Sequence, residues 1–109
     1  MSFAETQREV HAWISQFEVG YFQPMTLVAR LAEEVGELNR ELNHLCGQKP
    51  KKPEEPEASV ADEICDVIFV LVALANSLDI DLDEAFARAM ENSRARDSDR
   101  RTPKRPQKE

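Results

Sequence analysis

The chain has 109 residues, of which 41% are hydrophobic and 32% charged, and its formal net charge at pH 7 is −7. A chain of this length folds as one small domain. Its longest apolar run, residues 67–75, is about half as long as a helix that crosses a bilayer, so we expect no membrane partner. Residues 94–109 hold seven basic residues against three acids, whereas residues 1–93 hold seven against eighteen. Such an acidic body repels nucleic acid, and it also repels a triphosphate unless a bound cation reverses the local field.

The first predicted helix begins after Ser2, which forms a capping box with Glu5. Gly20 is expected to end it. Its apolar spacing predicts a buried face made of Val10, Trp13, Ile14 and Phe17. Because glycine is rare and β-branched residues do not alternate with polar ones over any long run, we predict an all-α chain.

The second predicted helix runs from about Pro24, a residue favoured at the first helical position, to about Cys46, just before Gly47. Successive residues of a helix turn by about 100°, so Glu34 lies at the margin of its apolar side and Glu37 lies further out. The apolar stripe consists of Leu27, Leu31, Val35, Leu38, Leu42 and Leu45.

Residues 48–57 contain three prolines and are predicted to form an extended loop. A third helix is expected to begin at Ser59 and to end at residues 76–79. Within it, residues 67–75 are apolar on every side, so this helix must be covered all round. Three neighbouring helices of this size cover it poorly, and we expect a second chain to help.

The fourth predicted helix begins at Asp81, which is followed three residues later by Glu84. Residues 98–109 lack an apolar pattern, which predicts a disordered basic tail after a domain of residues 1–97. The side chains of the fourth helix that are expected to face inward are Leu82, Ala85, Phe86, Ala89 and Met90.

The two cysteines, Cys46 and Cys65, do not form a C-x-x-C pair. We interpret them as reduced thiols of a cytoplasmic protein that pack as small apolar side chains.

Four acids lie on or near the predicted buried faces, Glu34 and Glu37 on the second helix and Glu63 and Asp66 on the third. Buried carboxylates must be protonated, paired with bases or bound to a cation. The second helix has two arginines and the third has no basic residue, so a hard divalent cation is the simplest solution. Mg²⁺ suits carboxylate oxygens and often binds a substrate phosphate as well, and Mn²⁺ is a possible substitute.

The run Glu33-Glu34-Val35-Gly36-Glu37, followed by Glu63-Ile64-Cys65-Asp66, resembles the E-E-x-x-E and E-x-x-D motifs of the MazG-like all-α nucleotide pyrophosphohydrolases. These enzymes are related to the dimeric dUTPases and the dCTP pyrophosphatases. The similarity extends from about Val10 to Asp97. Shorter segments are similar to the single-domain YpjD-like branch, namely Gly20-Tyr21-Phe22, Lys49-Pro50 and residues 74–78.

This resemblance implies a four-helix MazG-like bundle that is completed by oligomerisation, as a homodimer or homotetramer. It also implies Mg²⁺-dependent hydrolysis of NTP or dNTP to monophosphate and pyrophosphate, in nucleotide-pool housekeeping. Glu34, Glu37, Glu63 and Asp66 would hold the metal and carry the catalysis. Glu33 points away from the stripe and is a weaker candidate.

The resemblance also suggests substrate contacts. Tyr21 and Phe22 match a stretch that lies beside the base in relatives, although they could equally form a hydrophobic staple. His44 falls where relatives place an aromatic residue against the base, or is simply exposed at the end of its helix. Relatives reach the phosphates with a Lys and an Asn or Arg after the fourth helix. Arg96 matches best and Arg94 next, and Asn92 or Ala89 replaces the lysine.

Two other classes of function fit the same pattern. The chain could be a catalytically silent helical module that oligomerises or binds a partner. It could also be a metal-binding or nucleotide-sensing protein without useful turnover, which the missing lysine favours.

Overall fold

A computed structural model describes residues 2–47, 59–98, 100–102 and 104. These residues form four helices, α1 (Phe3–Ser15), α2 (Pro24–Leu45), α3 (Val60–Ser77) and α4 (Leu82–Asp97), and no strand. The prediction of an all-α chain is therefore confirmed. Among these helices, none combines the length and the hydropathy that a membrane span requires.

The predicted helix starts agree with the structure. The side chains of Ser2, Ser59 and Asp81 each accept a hydrogen bond from the backbone N–H three residues later. Pro24 occupies the first turn of α2, where its missing N–H costs nothing.

The prediction that Gly20 ends the first helix is wrong, because α1 ends at Ser15. Two successive turns follow the helix. The N–H of Phe17 donates to the carbonyl of Ile14, and the N–H of Gly20 donates to the carbonyl of Phe17. Gly20 has a φ of +64°, a left-handed conformation that glycine adopts without steric cost. The turns therefore carry Phe17 out of the helix and direct the chain towards α2.

The core lies where α1, α2 and α3 meet. Its buried members are Val10 of α1, Leu27 of α2 and Val72 and Ala73 of α3. Among the four helices, α2 and α3 pack together most extensively, and α1 packs against α3. Half-buried side chains complete the core, namely Ile14, Tyr21, Leu74 and Leu82.

Much of the apolar surface that the sequence places inside is exposed in the single chain. Trp13 is 56% exposed and Phe17 51%, and their rings contact edge to face at 5.1 Å between centroids. α4 has no buried residue, and Phe86 is 53% exposed. The inward face predicted for α4 is thus confirmed only in part, because Leu82 packs against the core and Ala85 is half-buried, whereas Phe86, Ala89 and Met90 are exposed. The predicted burial of Trp13 and Phe17 is wrong for one chain. Further exposed side chains are Val35, Leu42 and Leu45 of α2 and Ile64, Ile68, Phe69 and Leu71 of α3.

Cys46 and Cys65 are free thiols, but both are exposed, so they do not fill the core. Cys65 lies on the outer side of α3, and Cys46 follows the last turn of α2. The predicted loop of residues 48–57 lies outside the described residues, as does most of the predicted tail.

A network of side-chain amides joins α1 to the end of α3. The Gln7 Nε2 donates to Asn76 Oδ1 at 2.9 Å and to the carbonyl of Ile80 at 2.8 Å, while Gln7 Oε1 accepts from the N–H of Leu82 at 3.1 Å. Asn76 Nδ2 donates to the Gln7 carbonyl at 3.0 Å and to the Tyr21 hydroxyl at 3.1 Å. All four amide hydrogens are used, so the orientation of both amides is fixed. The network therefore holds the Tyr21 segment and the α3–α4 turn against α1.

Replacing Asn76 by Ala should lower the free energy of unfolding by about 1–3 kcal/mol, because partly buried partners lose their hydrogen bonds. Chemical denaturation followed by circular dichroism measures this change. Asn39→Ala is the matched control, since Asn39 is exposed on α2, and it should change stability by less than about 0.5 kcal/mol. Equal losses in the two variants would contradict the role assigned to the network.

Candidate metal centre and adjoining cavity

Three carboxylates from two helices converge at the α2–α3 contact. One oxygen each of Glu34, Glu63 and Asp66 lies within 4.8 Å of the other two. Glu63 and Asp66 are three residues apart and share one face of α3, and Glu34 meets them from α2. We call these three residues the acid cluster.

Burial differs across the acid cluster. Glu63 is 8% exposed, Glu34 is half-buried and Asp66 is exposed. The interior position predicted for Asp66 is therefore wrong. One turn further along α3 the chain enters the core at Val70, so the start of the helix lies at the edge of the packed region and Asp66 remains open to solvent. A ligand can reach the cluster from this side.

The electrostatic field of the site acts mainly on Glu63. Burial raises the pKa of its carboxyl above the ordinary value, and repulsion from Asp66, Glu37, Glu34 and Glu41 raises it further, in that order. Each of these neighbours carries the same charge as Glu63. The folded chain therefore gathers negative charge that a cation would relieve.

The remaining acids of α2 take different positions. Glu37 is exposed and outside the acid cluster, although its charge reaches Glu63. Glu33 is exposed on α2 and does not belong to the cluster, as the sequence predicts. Glu41 is only 8% exposed, which the sequence analysis missed. Its spacing seven residues after the half-buried Glu34 was the available signal, because two helical turns place both residues on one face.

The donor set of the acid cluster fits a hard divalent cation. All three donors are carboxylate oxygens, which Mg²⁺ and Mn²⁺ prefer. Ligands of an octahedral Mg²⁺ are about 2.9 Å apart when adjacent and about 4.1 Å apart when opposite, given bonds of about 2.05 Å. Oxygens within 4.8 Å of one another would close around such an ion by side-chain movements of up to about 2 Å.

An apolar cavity of about 390 Å³ lies between the end of α1, the segment that follows it and the facing sides of α2 and α3. Its aromatic walls include Trp13, Phe17, Tyr21, Phe22 and Phe69. The Tyr21 hydroxyl is fixed by Asn76 and by a 2.8 Å hydrogen bond with His11 Nδ1.

Arg30 connects the cavity to the acid cluster. Its guanidinium lies 5.8 Å from the centre of the Phe22 ring, and its Nη2 lies 4.0 Å from Glu34 Oε1. The cavity and the cluster are therefore neighbours with one cation between them.

The other predicted substrate residues lie elsewhere in the single chain. His44 is half-buried in the last turn of α2 rather than exposed. Arg94 pairs with Glu91 at 3.3 Å and Arg96 with Asp97 at 3.2 Å, so both ion pairs lie within α4. Asn92 is exposed on the same helix. Since α4 packs against α1, one chain does not bring these three residues to the acid cluster.

The model of the MazG nucleotide pyrophosphohydrolase domain matches residues 22–101 of this chain. This range includes all four carboxylates of the predicted metal site. A relative in Bacillus subtilis (strain 168), the uncharacterised protein YpjD, is 55% identical over 100 residues, which cover 92% of this chain and 90% of YpjD.

Two crystal structures share the fold. That of YpjD from Bacillus subtilis, described as a candidate pyrophosphatase, superposes with a TM-score of 0.75 at 53% identity and covers 84% of this chain and 94% of its own. That of a Bacillus-conserved MazG protein, described as a nucleotide pyrophosphohydrolase, has a TM-score of 0.75 at 44% identity. It covers 92% of this chain and 97% of its own.

Replacing Glu63 by Gln should raise the melting temperature of chelator-treated protein at pH 7. Because the pKa of Glu63 is raised in the folded state, the neutral carboxyl is compatible with the fold and the charged carboxylate destabilises it. The contribution of neutral Glu63 is fully present below the ordinary carboxyl pKa and is lost as the pH rises through the raised value. The advantage of Glu63→Gln should therefore shrink towards zero as the pH falls to about 4.3. Differential scanning calorimetry over this pH range measures it.

Added Mg²⁺ should make wild type more stable than Glu63→Gln, which reverses the order expected without metal. Wild-type protein should gain about 2.7 kcal/mol when Mg²⁺ is at 100 times its Kd, and Glu63→Gln should gain less. Glu33→Gln removes the same charge from an exposed position and serves as the control, with little effect in either condition. A Glu63→Gln variant that is no more stable than wild type without metal, at any pH, would show that repulsion on Glu63 is unimportant.

Proposed function

Because the chain belongs to the MazG nucleotide pyrophosphohydrolase family, and is thus a hydrolase of nucleotide phosphoanhydrides, we propose that it hydrolyses nucleoside triphosphates to monophosphate and pyrophosphate with Mg²⁺. Both ribo- and deoxyribonucleotides are candidate substrates. One observation carries the proposal: Arg30 links an aromatic cavity of about 390 Å³ to converging carboxylates, so one nucleotide can place its base in the cavity and its phosphates at the carboxylates.

In this proposal Glu34, Glu37, Glu63 and Asp66 hold Mg²⁺, for which Mn²⁺ can substitute. When bound, such an ion would supply positive charge opposite the phosphates and would lower the pKa of a coordinated water. Glu34 and Glu63 are fixed by the helix contact, whereas Asp66 and Glu37 are exposed and free to adjust. A carboxylate that the metal leaves free can accept a proton from the attacking water.

The aromatic walls supply the base site in this proposal. The partly exposed Phe22 offers a ring surface for stacking, and Tyr21 is held in place by Asn76 and His11. His44 is a further candidate for the base. The function that follows is control of the nucleotide pool in the cytoplasm.

The decisive assay incubates the protein with each of the four NTPs and four dNTPs in Mg²⁺ and measures pyrophosphate and orthophosphate separately. Release of pyrophosphate with an equal amount of monophosphate supports the proposal. Metal binding and nucleotide binding without any product would instead indicate a sensor, and neither binding nor product would indicate a silent interaction module.

Among single variants, we expect Glu37→Gln, Glu63→Gln and Asp66→Asn each to lower kcat/KM by about 100-fold or more, because even groups that merely support metal ligands cost 10- to 100-fold when lost. Initial rates of pyrophosphate release measure this loss, and circular dichroism checks that helicity is unchanged. Glu33→Gln is the matched control and should lose much less. If Glu33→Gln is as inactive as Glu37→Gln, the assignment of the metal-binding face is wrong.

We further propose that two or four copies of the chain assemble. Apolar side chains are exposed on all four helices, for example Trp13, Val35, Ile68 and Phe86. A broad groove beside Trp13 and Phe69 would accept a neighbouring helix. Pairing of two chains by a two-fold axis is the commonest way to bury such surface. A neighbouring chain could then bring Arg94 and Arg96 to the acid cluster.

Light scattering should accordingly give a dimer or a tetramer. Mixing inactive Glu63→Gln chains with inactive Arg96→Ala chains should restore part of the activity, because some hybrid sites then hold an intact acid cluster and an intact arginine. Each variant assembled alone is the control. A fully active monomer at micromolar concentration would refute the shared site.

A further inference from the structure

We propose that Arg30 is a substrate-binding residue that exchanges Glu34 for the phosphate nearest the sugar when a nucleotide binds. This inference rests on the proposed function. It assigns a phosphate contact to a residue that the carboxylate motifs do not include.

The position of Arg30 is the first argument. It lines the aromatic cavity, places its guanidinium carbon over the Phe22 ring at 5.8 Å from the ring centre and approaches Glu34 to 4.0 Å. A nucleotide with its base in the cavity and its outer phosphates at the acid cluster must cross the space between them. The group that crosses there is the sugar with its first phosphate, so this phosphate meets the guanidinium.

The contacts of Arg30 also allow the exchange. The pair with Glu34 is at the long limit for an ion pair, and the Arg30 side chain is 50% exposed, so solvent screens the attraction and little energy is lost when the pair opens. The cation–π contact with Phe22 favours keeping the guanidinium beside the cavity while the pair is open. A planar guanidinium can then offer two parallel N–H donors to phosphate oxygens.

No other cation of the α2–α3 pair can take this role. The two helices contain Arg30 and Arg40 as their basic residues of fixed charge. Arg40 lies ten residues further along α2, which is about 15 Å along the helix axis and beyond Glu37. Arg30 is therefore the cation on the side of the cavity.

If Arg30 makes this exchange, its removal should affect the affinity for Mg²⁺ and the affinity for phosphate differently. Arg30 carries a positive charge next to Glu34, so it opposes a second cation there. Removing it should leave the affinity for Mg²⁺ alone unchanged or increase it, while the affinity for phosphate-bearing ligands falls. A residue that only held Glu34 ready for the metal would instead lower Mg²⁺ affinity when removed.

The test compares wild-type protein with Arg30→Met, which keeps a long apolar side chain over Phe22 and removes the charge. The probes are Mg²⁺ alone and then, with Mg²⁺ present, the nucleoside and the 5′-monophosphate of the triphosphate that wild type hydrolyses best. Titration calorimetry should show monophosphate affinity reduced by about 10-fold or more, as for the loss of a charge-assisted hydrogen bond. Nucleoside affinity should stay within about twofold, and Arg30→Lys should recover part of the loss.

Arg88→Met is the matched control. Arg88 also pairs with a glutamate four residues away, Glu84, at 3.3 Å, but on α4. It should change none of the three affinities. Circular dichroism establishes that all variants are folded.

Three results would overturn the inference: an unchanged monophosphate affinity in Arg30→Met, equal losses for nucleoside and monophosphate, or a weaker affinity for Mg²⁺ alone. The proposed function is tested independently of this inference. If wild type releases no pyrophosphate from any triphosphate, the function is wrong, and the same titrations with AMP and adenosine still decide whether Arg30 contacts phosphate. If wild type releases pyrophosphate while Arg30→Met binds monophosphate normally, only the inference is wrong.

Discussion

The concentration of negative charge at the α2–α3 contact is the constraint on which this structure depends. The same contact provides most of the packing between the four described helices, so α2 and α3 cannot separate to relieve the repulsion without losing the core around Leu27 and Val72. Repulsion and burial act together on Glu63, whose pKa is raised as a result. Stability and cation binding are therefore coupled at one place, because a cation bound there removes a destabilising term from the fold itself.

Much of the fold could be predicted from local signals. The caps at Ser2, Ser59 and Asp81 and the proline at the start of α2 each act on the adjacent backbone, and the structure shows all of them. The end of α1 could not be predicted in the same way. Gly20 marks a left-handed turn, but the chain leaves the helix five residues earlier through turns that are closed by backbone hydrogen bonds. No side chain in that segment signals the change.

The candidate site, like the fold, could be predicted only in part from the sequence. Spacing on two helices predicted that Glu34, Glu37, Glu63 and Asp66 would converge. Three of them meet at the contact of the two helices, whereas Glu37 lies outside the acid cluster. Spacing could not predict how far each acid is buried, because burial depends on where the helix enters the core, and it therefore placed Asp66 too deep and overlooked Glu41. The exposure of apolar side chains such as Trp13 and Phe86 could not be predicted for the same reason. Periodicity identifies a face that must be covered, but not whether the same chain covers it.

The arginines suggest how an acidic protein can receive a still more acidic substrate. Arg30, Arg94 and Arg96 each pair with an acid on their own helix, at distances of 3.2–4.0 Å. Exposed pairs of this kind are worth about 0–1 kcal/mol, whereas a hydrogen bond to a charged group is worth about 1.5–3 kcal/mol. A phosphate can thus displace the local acid at a net gain. At Arg30 the displaced acid is Glu34, one of the residues that we propose for the metal, so release of Glu34 and capture of the phosphate would favour each other.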